Sequence, residues 1–114
     1  MPTRQIEKES WSRFLEGFSA HNQMREIAVD VEDNELGSQT LVDRKPFLAM
    51  ETDLRDNIEP SIVLVAGDPA GGDPSVLRHR VMDPNSLWVK EDDTGRAEAL
   101  DIEADNGKTV IRFV

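Results

Sequence analysis

The sequence predicts an α+β fold: an N-terminal helix packed on a strongly bent, mostly antiparallel sheet of about six or seven strands, with a partly open barrel as the curled extreme. Three observations carry that expectation. Trp11, Phe14, Leu15 and Phe18 recur at helical spacing and share one face. Downstream of residue 24, short apolar runs alternate with polar residues and are separated by Gly, Pro, Asn and Asp. One run, Ile62-Val63-Leu64-Val65, does not alternate at all and needs cover on both faces.

The helix is expected over residues 7–21. Ile6 sits where a hydrophobic staple would meet Trp11. Glu7 and Glu9 suit the positive end of the helix dipole, and His21 suits the negative end. Gly17 costs about 1 kcal/mol relative to alanine inside a helix, which points to close packing against another backbone there.

The strands follow in order. Ile27, Val29 and Val31 alternate against Ala28, Asp30 and Glu32, and residues 33–38 form a turn. A second strand runs from Thr40 to Arg44 and Pro46 interrupts it. Leu48 to Leu54 alternates as a third, broken by Asp56-Asn57, and residues 61–66 make the fourth, with the helix covering one face and the curled sheet the other. The breaker-rich segment Gly67–Pro74 leads to a fifth strand over Val76–Met82, then Leu87–Lys90 and Ala97–Ala104. Asn106-Gly107 predicts a type I′ hairpin turn, which sets Asp105 opposite Lys108 and Asp101 opposite Arg112.

Thr3-Arg4-x-Ile6 followed by Trp11-x-x-Phe14-Leu15-x-x-Phe18-Ser19 resembles the opening of small bacterial proteins catalogued as a domain of unknown function. Residues 91–103, Glu91-Asp92-Asp93-x-Gly95-x-Ala97-Glu98-Ala99-Leu100-x-Ile102-Glu103, and the closing Val110-Ile111-Arg112-Phe113 are similar to that family's second half. The resemblance implies a shared small fold. It brings no activity and no catalytic or binding residue.

Composition narrows the function classes. The 114 residues fit a single domain, 1–114, with the helix first and a β-rich remainder over 24–114. A net charge of -10 argues against nucleic acid and anionic membranes as partners. No cysteine is present, so disulfides and thiolate chemistry are excluded, in keeping with a cytoplasmic location. No signal-peptide pattern opens the chain, and no apolar run is long enough to span a bilayer.

Candidate chemistry is sparse. His79 alternates with Leu77 and Val81 on one strand face, as either a half-buried structural residue or a general base. Arg78 and Arg80 project from the other face, where they could grip a carboxylate or phosphate or simply neutralise neighbouring acids. Trp88 lies opposite Leu87 and Val89 and is either an exposed interface anchor or a covered residue. The acidic clusters at residues 30–35 and 91–93 lack the spacing of a calcium loop, and the two histidines lack zinc spacing, so no metal and no cofactor are expected. The leading expectation is a non-catalytic protein-interaction or self-association module, its partner an unknown protein or a second copy of itself. The alternative is a small-ligand or anion-binding barrel, with or without enzymatic activity, using Arg78, Arg80 and His79.

Overall fold

The aromatic stripe faces inward in the computed structural model, which describes residues 3–53, 60–67 and 76–114. Trp11, Leu15 and Phe18 are buried, and Phe14 packs against them half-covered. A 3₁₀ turn, Lys8–Ser10, leads into α1, Trp11–Asn22. Trp11 Nε1 donates to the Ile6 carbonyl at 2.9 Å, so the predicted staple pair is joined by a hydrogen bond as well as by packing.

Among the described residues eight strands, rather than six or seven, form one antiparallel sheet: β1 (Thr3–Gln5), β2 (Glu26–Asp33), β3 (Gly37–Asp53), β4 (Ser61–Ala66), β5 (Leu77–Met82), β6 (Ser86–Glu91), β7 (Ala97–Ala104) and β8 (Gly107–Phe113). Their order across the sheet is β1-β6-β7-β8-β2-β3-β4-β5, so β1 and β5 are edges and the sheet does not close into a barrel. The strand β1 precedes the helix. Its three residues are too short to show a period, and all are exposed. The expected segments Asp56-Asn57 and residues 68–74 of the breaker-rich connection lie outside the described residues.

Pro46 does not interrupt the chain; it sits where one long strand changes partner. Up to Pro46, β3 pairs with β2, and from Phe47 onward it pairs with β4. A residue without an N–H fits such a hand-over. Three residues of β3, Leu41, Arg44 and Leu48, are skipped in the pairing, and Arg44 has a positive φ of 59°. Each bulge adds bend and twist, so β3 folds the sheet over on itself. As a result His79 of β5 reaches Thr109 of β8, four strands away in sheet order.

The core lies inside this fold. Ile27 and Val29 of β2, Phe47 and Met50 of β3, Ile62, Leu64 and Ala66 of β4, Leu87 and Val89 of β6, Leu100 and Ile102 of β7 and Ile111 of β8 converge on the helix stripe. The second face of β4 is buried as well: Val63 and Val65 stand outside that core cluster, with Glu51 on β3 and Arg78 and Arg80 on β5 as their neighbours within the sheet.

The last hairpin is shifted. Ala104 faces Gly107, Glu103 faces Lys108 and Leu100 faces Ile111, so Asp105-Asn106 form the turn. Partners move by two positions, which preserves the faces: Leu100, Ile102, Thr109 and Ile111 still point inward. The predicted Asp101–Arg112 pair is lost. Arg112 instead bonds Asp30 on β2 at 2.8 Å. Asp101 faces Val110, and burial, with the nearby charges of Glu103 and Glu32, raises its carboxyl pKa against the pull of Lys108. Gly107 explains the register. It lies in the ladder opposite Asp33 with φ +151°, where a Cβ would fall 1.9 Å from the Glu32 carbonyl oxygen. The glycine serves a close backbone approach, and the turn is held by Asn34, whose amide nitrogens bond the carbonyls of Asn106 and Asp105.

Candidate functional site

The predicted trio of Arg78, His79 and Arg80 is split by its strand. Arg78 and Arg80 are exposed on the outer face and His79 is half-buried on the inner one. Arg78 Nη2 bonds Glu51 at 2.8 Å, across β4. Arg80 Nη1 donates to the buried Ser61 hydroxyl at 2.6 Å. Both arginines therefore have local partners in the sheet. His79 and Arg80 do border one cavity of about 180 Å³ between β5 and the β7–β8 hairpin, together with Lys108 and Thr109.

His79 Nε2 lies 3.3 Å from the buried Thr109 hydroxyl, and burial lowers its pKa below the ordinary value of 6.5. The folded protein thus resists the proton that the unfolded chain accepts. Stability from this residue is full above pH 6.5 and is lost as pH falls through 6.5 toward the lower folded value. We expect the urea midpoint to drop between pH 7.5 and 5.5, and His79→Gln to flatten that drop. A variant with the unaltered slope would show that His79 is not its source.

Trp88 stands on the outer face, half-buried, opposite Asp101. Its indole N–H donates to Glu103 at 3.1 Å, and Ser86 donates to the same carboxylate oxygen at 2.7 Å. The acidic clusters are likewise engaged. Asp30 binds Arg112 and accepts from Thr40, while the Asp33 carboxylate accepts from the amides of Glu35 and Leu36. Glu91 is paired with Arg4 at 3.0 Å. Asp92 is kept acidic by hydrogen bonds from the Thr94 hydroxyl and from the amides of Arg96 and Thr94. Among the described residues no three His, Asp or Glu side chains converge as a metal site.

The larger cavity, about 700 Å³, lies elsewhere, between α1 and the turn joining β6 to β7. Its apolar surface is Phe14 and Phe18 from the helix with Val89 and Ala97 from the strands. Around these stand Arg13, Arg25, Arg96 and His21, against, among the described residues, the single carboxylate of Glu91. Among the described residues neither Arg13 nor Arg96 makes a side-chain ion pair. The Asp92 turn and Gly95, at φ +86°, set the far wall. Gly17 opens the near wall: a Cβ there would meet nothing within 4 Å, so the expected close packing at this glycine is absent.

Arg25 is the best-held of the cations. Its guanidinium lies 3.9 Å from the centre of the Phe113 ring, within the aromatic cluster of Phe14, Phe18, Phe47 and Phe113. Nη1 donates to the Asn22 side-chain oxygen at 2.6 Å and to the Ala97 carbonyl at 3.0 Å. Burial, and after it the like charge of Arg96, lowers the Arg25 pKa, with Asp92 acting in the other sense. An arginine nonetheless stays charged.

Sequence alone gives Phe14, Phe18, Gly17 and His21 only helical roles and does not single out Arg13, Arg25 or Arg96, although part of the signal is there. Arg13, Gly17 and His21 lie four apart, one line along the helix beside Phe14, Phe18 and Asn22. Nothing local joins that line to Arg25 or Arg96, which the fold brings up from separate elements.

Compared with known proteins, residues 2–114 match the model of a family of unknown function, DUF5335. An uncharacterized protein of Aquifex aeolicus is 24% identical over 111 residues, covering 97% of this chain and 90% of that protein. No solved structure matches.

Proposed function

The chain belongs to DUF5335, a family of unknown function, and we propose its role from its own geometry: a non-catalytic binding domain that holds a small organic ligand in the groove between α1 and the β6–β7 turn. One observation carries this reading. The larger cavity pairs an apolar floor with three arginines and one acid, in a chain whose net charge is -10. Its volume lies within the range of about 300–1,000 Å³ usual for small-molecule sites. Self-association through Trp88 has less in its favour, since that indole is half-buried and its N–H is already bonded.

The test is a thermal-shift screen of organic acids, alcohols and amines on the full chain. A saturating groove ligand should raise Tm by about 3 °C or more. Gly17→Leu should abolish the shift, because it fills open space in the groove without a clash at its Cβ. A screen in which nothing raises Tm, or in which Gly17→Leu leaves every shift intact, refutes the groove as the binding site.

A further inference from the structure

Building on that reading, we infer that the groove's ligand is a hydrophobic monocarboxylate whose carboxylate is gripped by the Nε–Nη2 edge of Arg25. Both hydrogen bonds of this guanidinium leave from Nη1, to Asn22 and to Ala97. Among the described residues its Nε–Nη2 edge has no partner, though Arg25 lines the cavity. Stacking on Phe113 and the two Nη1 bonds fix the plane of the fork before any ligand arrives. A fixed arginine fork presents two parallel N–H donors, which match the two oxygens of a carboxylate.

Charge selects in the same direction. Arg96 lies close enough to disfavour the charge on Arg25, so an anion between them relieves the repulsion. Of the acids at this end of the groove, Glu91 is paired with Arg4, and Asp92, whose charge also acts on Arg25, accepts bonds from the amides and hydroxyl of its own turn without bonding the free fork. Glu91 on the groove wall and Asp92 beside Arg25 repel a ligand more strongly with each negative charge it carries, and both act inside the screening length of about 8 Å at physiological ionic strength. A monoanion is therefore preferred to a phosphate dianion. The apolar body follows from Phe14, Phe18 and Val89, and the room from Gly17, where the helix lacks a side chain and nothing else fills the space.

The experiment is calorimetric titration of the full-length protein with decanoate, decanol and decyl phosphate, each below its aggregation threshold. Decanoate should bind about tenfold or more tightly than decanol, and more tightly than decyl phosphate. Arg25→Gln should cut decanoate affinity about tenfold while leaving decanol affinity unchanged, and Arg25→Lys, which keeps the charge but not the fork, should recover little of the loss. The comparison of probes on the unaltered protein decides the matter even where an Arg25 variant misfolds. Decanol binding as tightly as decanoate, or decyl phosphate binding more tightly, overturns the carboxylate assignment and leaves the groove reading standing. Silence from all three probes, with no hit in the thermal-shift screen, overturns the groove reading itself.

Discussion

Trp11→Ala should destabilise the protein by about 4 kcal/mol, the largest effect expected of any single substitution in the helix. The indole is 1% exposed and stands at the centre of the helix stripe. Its removal takes away the transfer energy of a large aromatic and leaves a cavity that the sheet, braced by its own ladder, can close only in part. It also orphans the Ile6 carbonyl that the indole N–H satisfies. That carbonyl belongs to the residue whose own N–H reaches the Leu87 carbonyl at 2.8 Å, so the tryptophan ties the entry segment to β6. Trp11→Phe keeps most of the buried area and loses the hydrogen bond, for a cost of about 1–2 kcal/mol. Urea unfolding reports both, with Trp88 left as the fluorescent probe. A loss under about 1 kcal/mol for Trp11→Ala would mean the stripe is not core.

Gly107→Ala is the second large effect, about 3 kcal/mol of lost stability from one methyl group. The added Cβ would meet the Glu32 carbonyl oxygen at 1.9 Å and the Glu32 carbonyl carbon at 2.9 Å, both backbone atoms of the neighbouring strand. The φ of +151° is itself disfavoured for an L-residue. Relief requires β2 and β8 to separate at the end rung of their ladder, where Gly107 faces Asp33. Gly17→Ala is the matched control, because its methyl meets nothing within 4 Å and relieves a helical glycine. It should gain about 0.5–1 kcal/mol. If both substitutions prove equally mild, the close approach at Gly107 is not real.

The helix and the interior faces of the strands were legible in the sequence because each follows from a period confined to a dozen residues. Trp11, Leu15 and Phe18 are buried as their spacing requires, and Ile62 to Ala66 is buried on both faces as its lack of alternation requires. Register was not legible. Asn106-Gly107 carries a strong local preference for a tight turn, but the approach of Glu32 from β2 decides where the glycine must sit. That approach is set about 75 residues upstream in the chain, beyond any local rule. Pro46 misled for a related reason: a proline interrupts a strand only where its missing N–H was needed, and at a change of partner it is not. The groove was hidden most completely. Arg25 and Arg96 come to line one groove only when the sheet has brought the end of α1 against the β6–β7 turn.

The pairing of β2 with β8 at the middle of the sheet has a consequence for synthesis. Residues 26–33 emerge from the ribosome about 75 residues ahead of their partner, residues 107–113, the last of the sheet's described strands. At about 5–20 residues per second, β2 waits roughly 4–16 s for that partner. During the wait the β2–β3 hairpin exposes the edge that β8 will later cover, including the groups opposite Ile27 and Val29. The meander of β6, β7 and β8 cannot relieve it sooner, because it ends with the same late strand. The nascent chain is thus held open at its centre until β8 has been made, and the sheet closes only then.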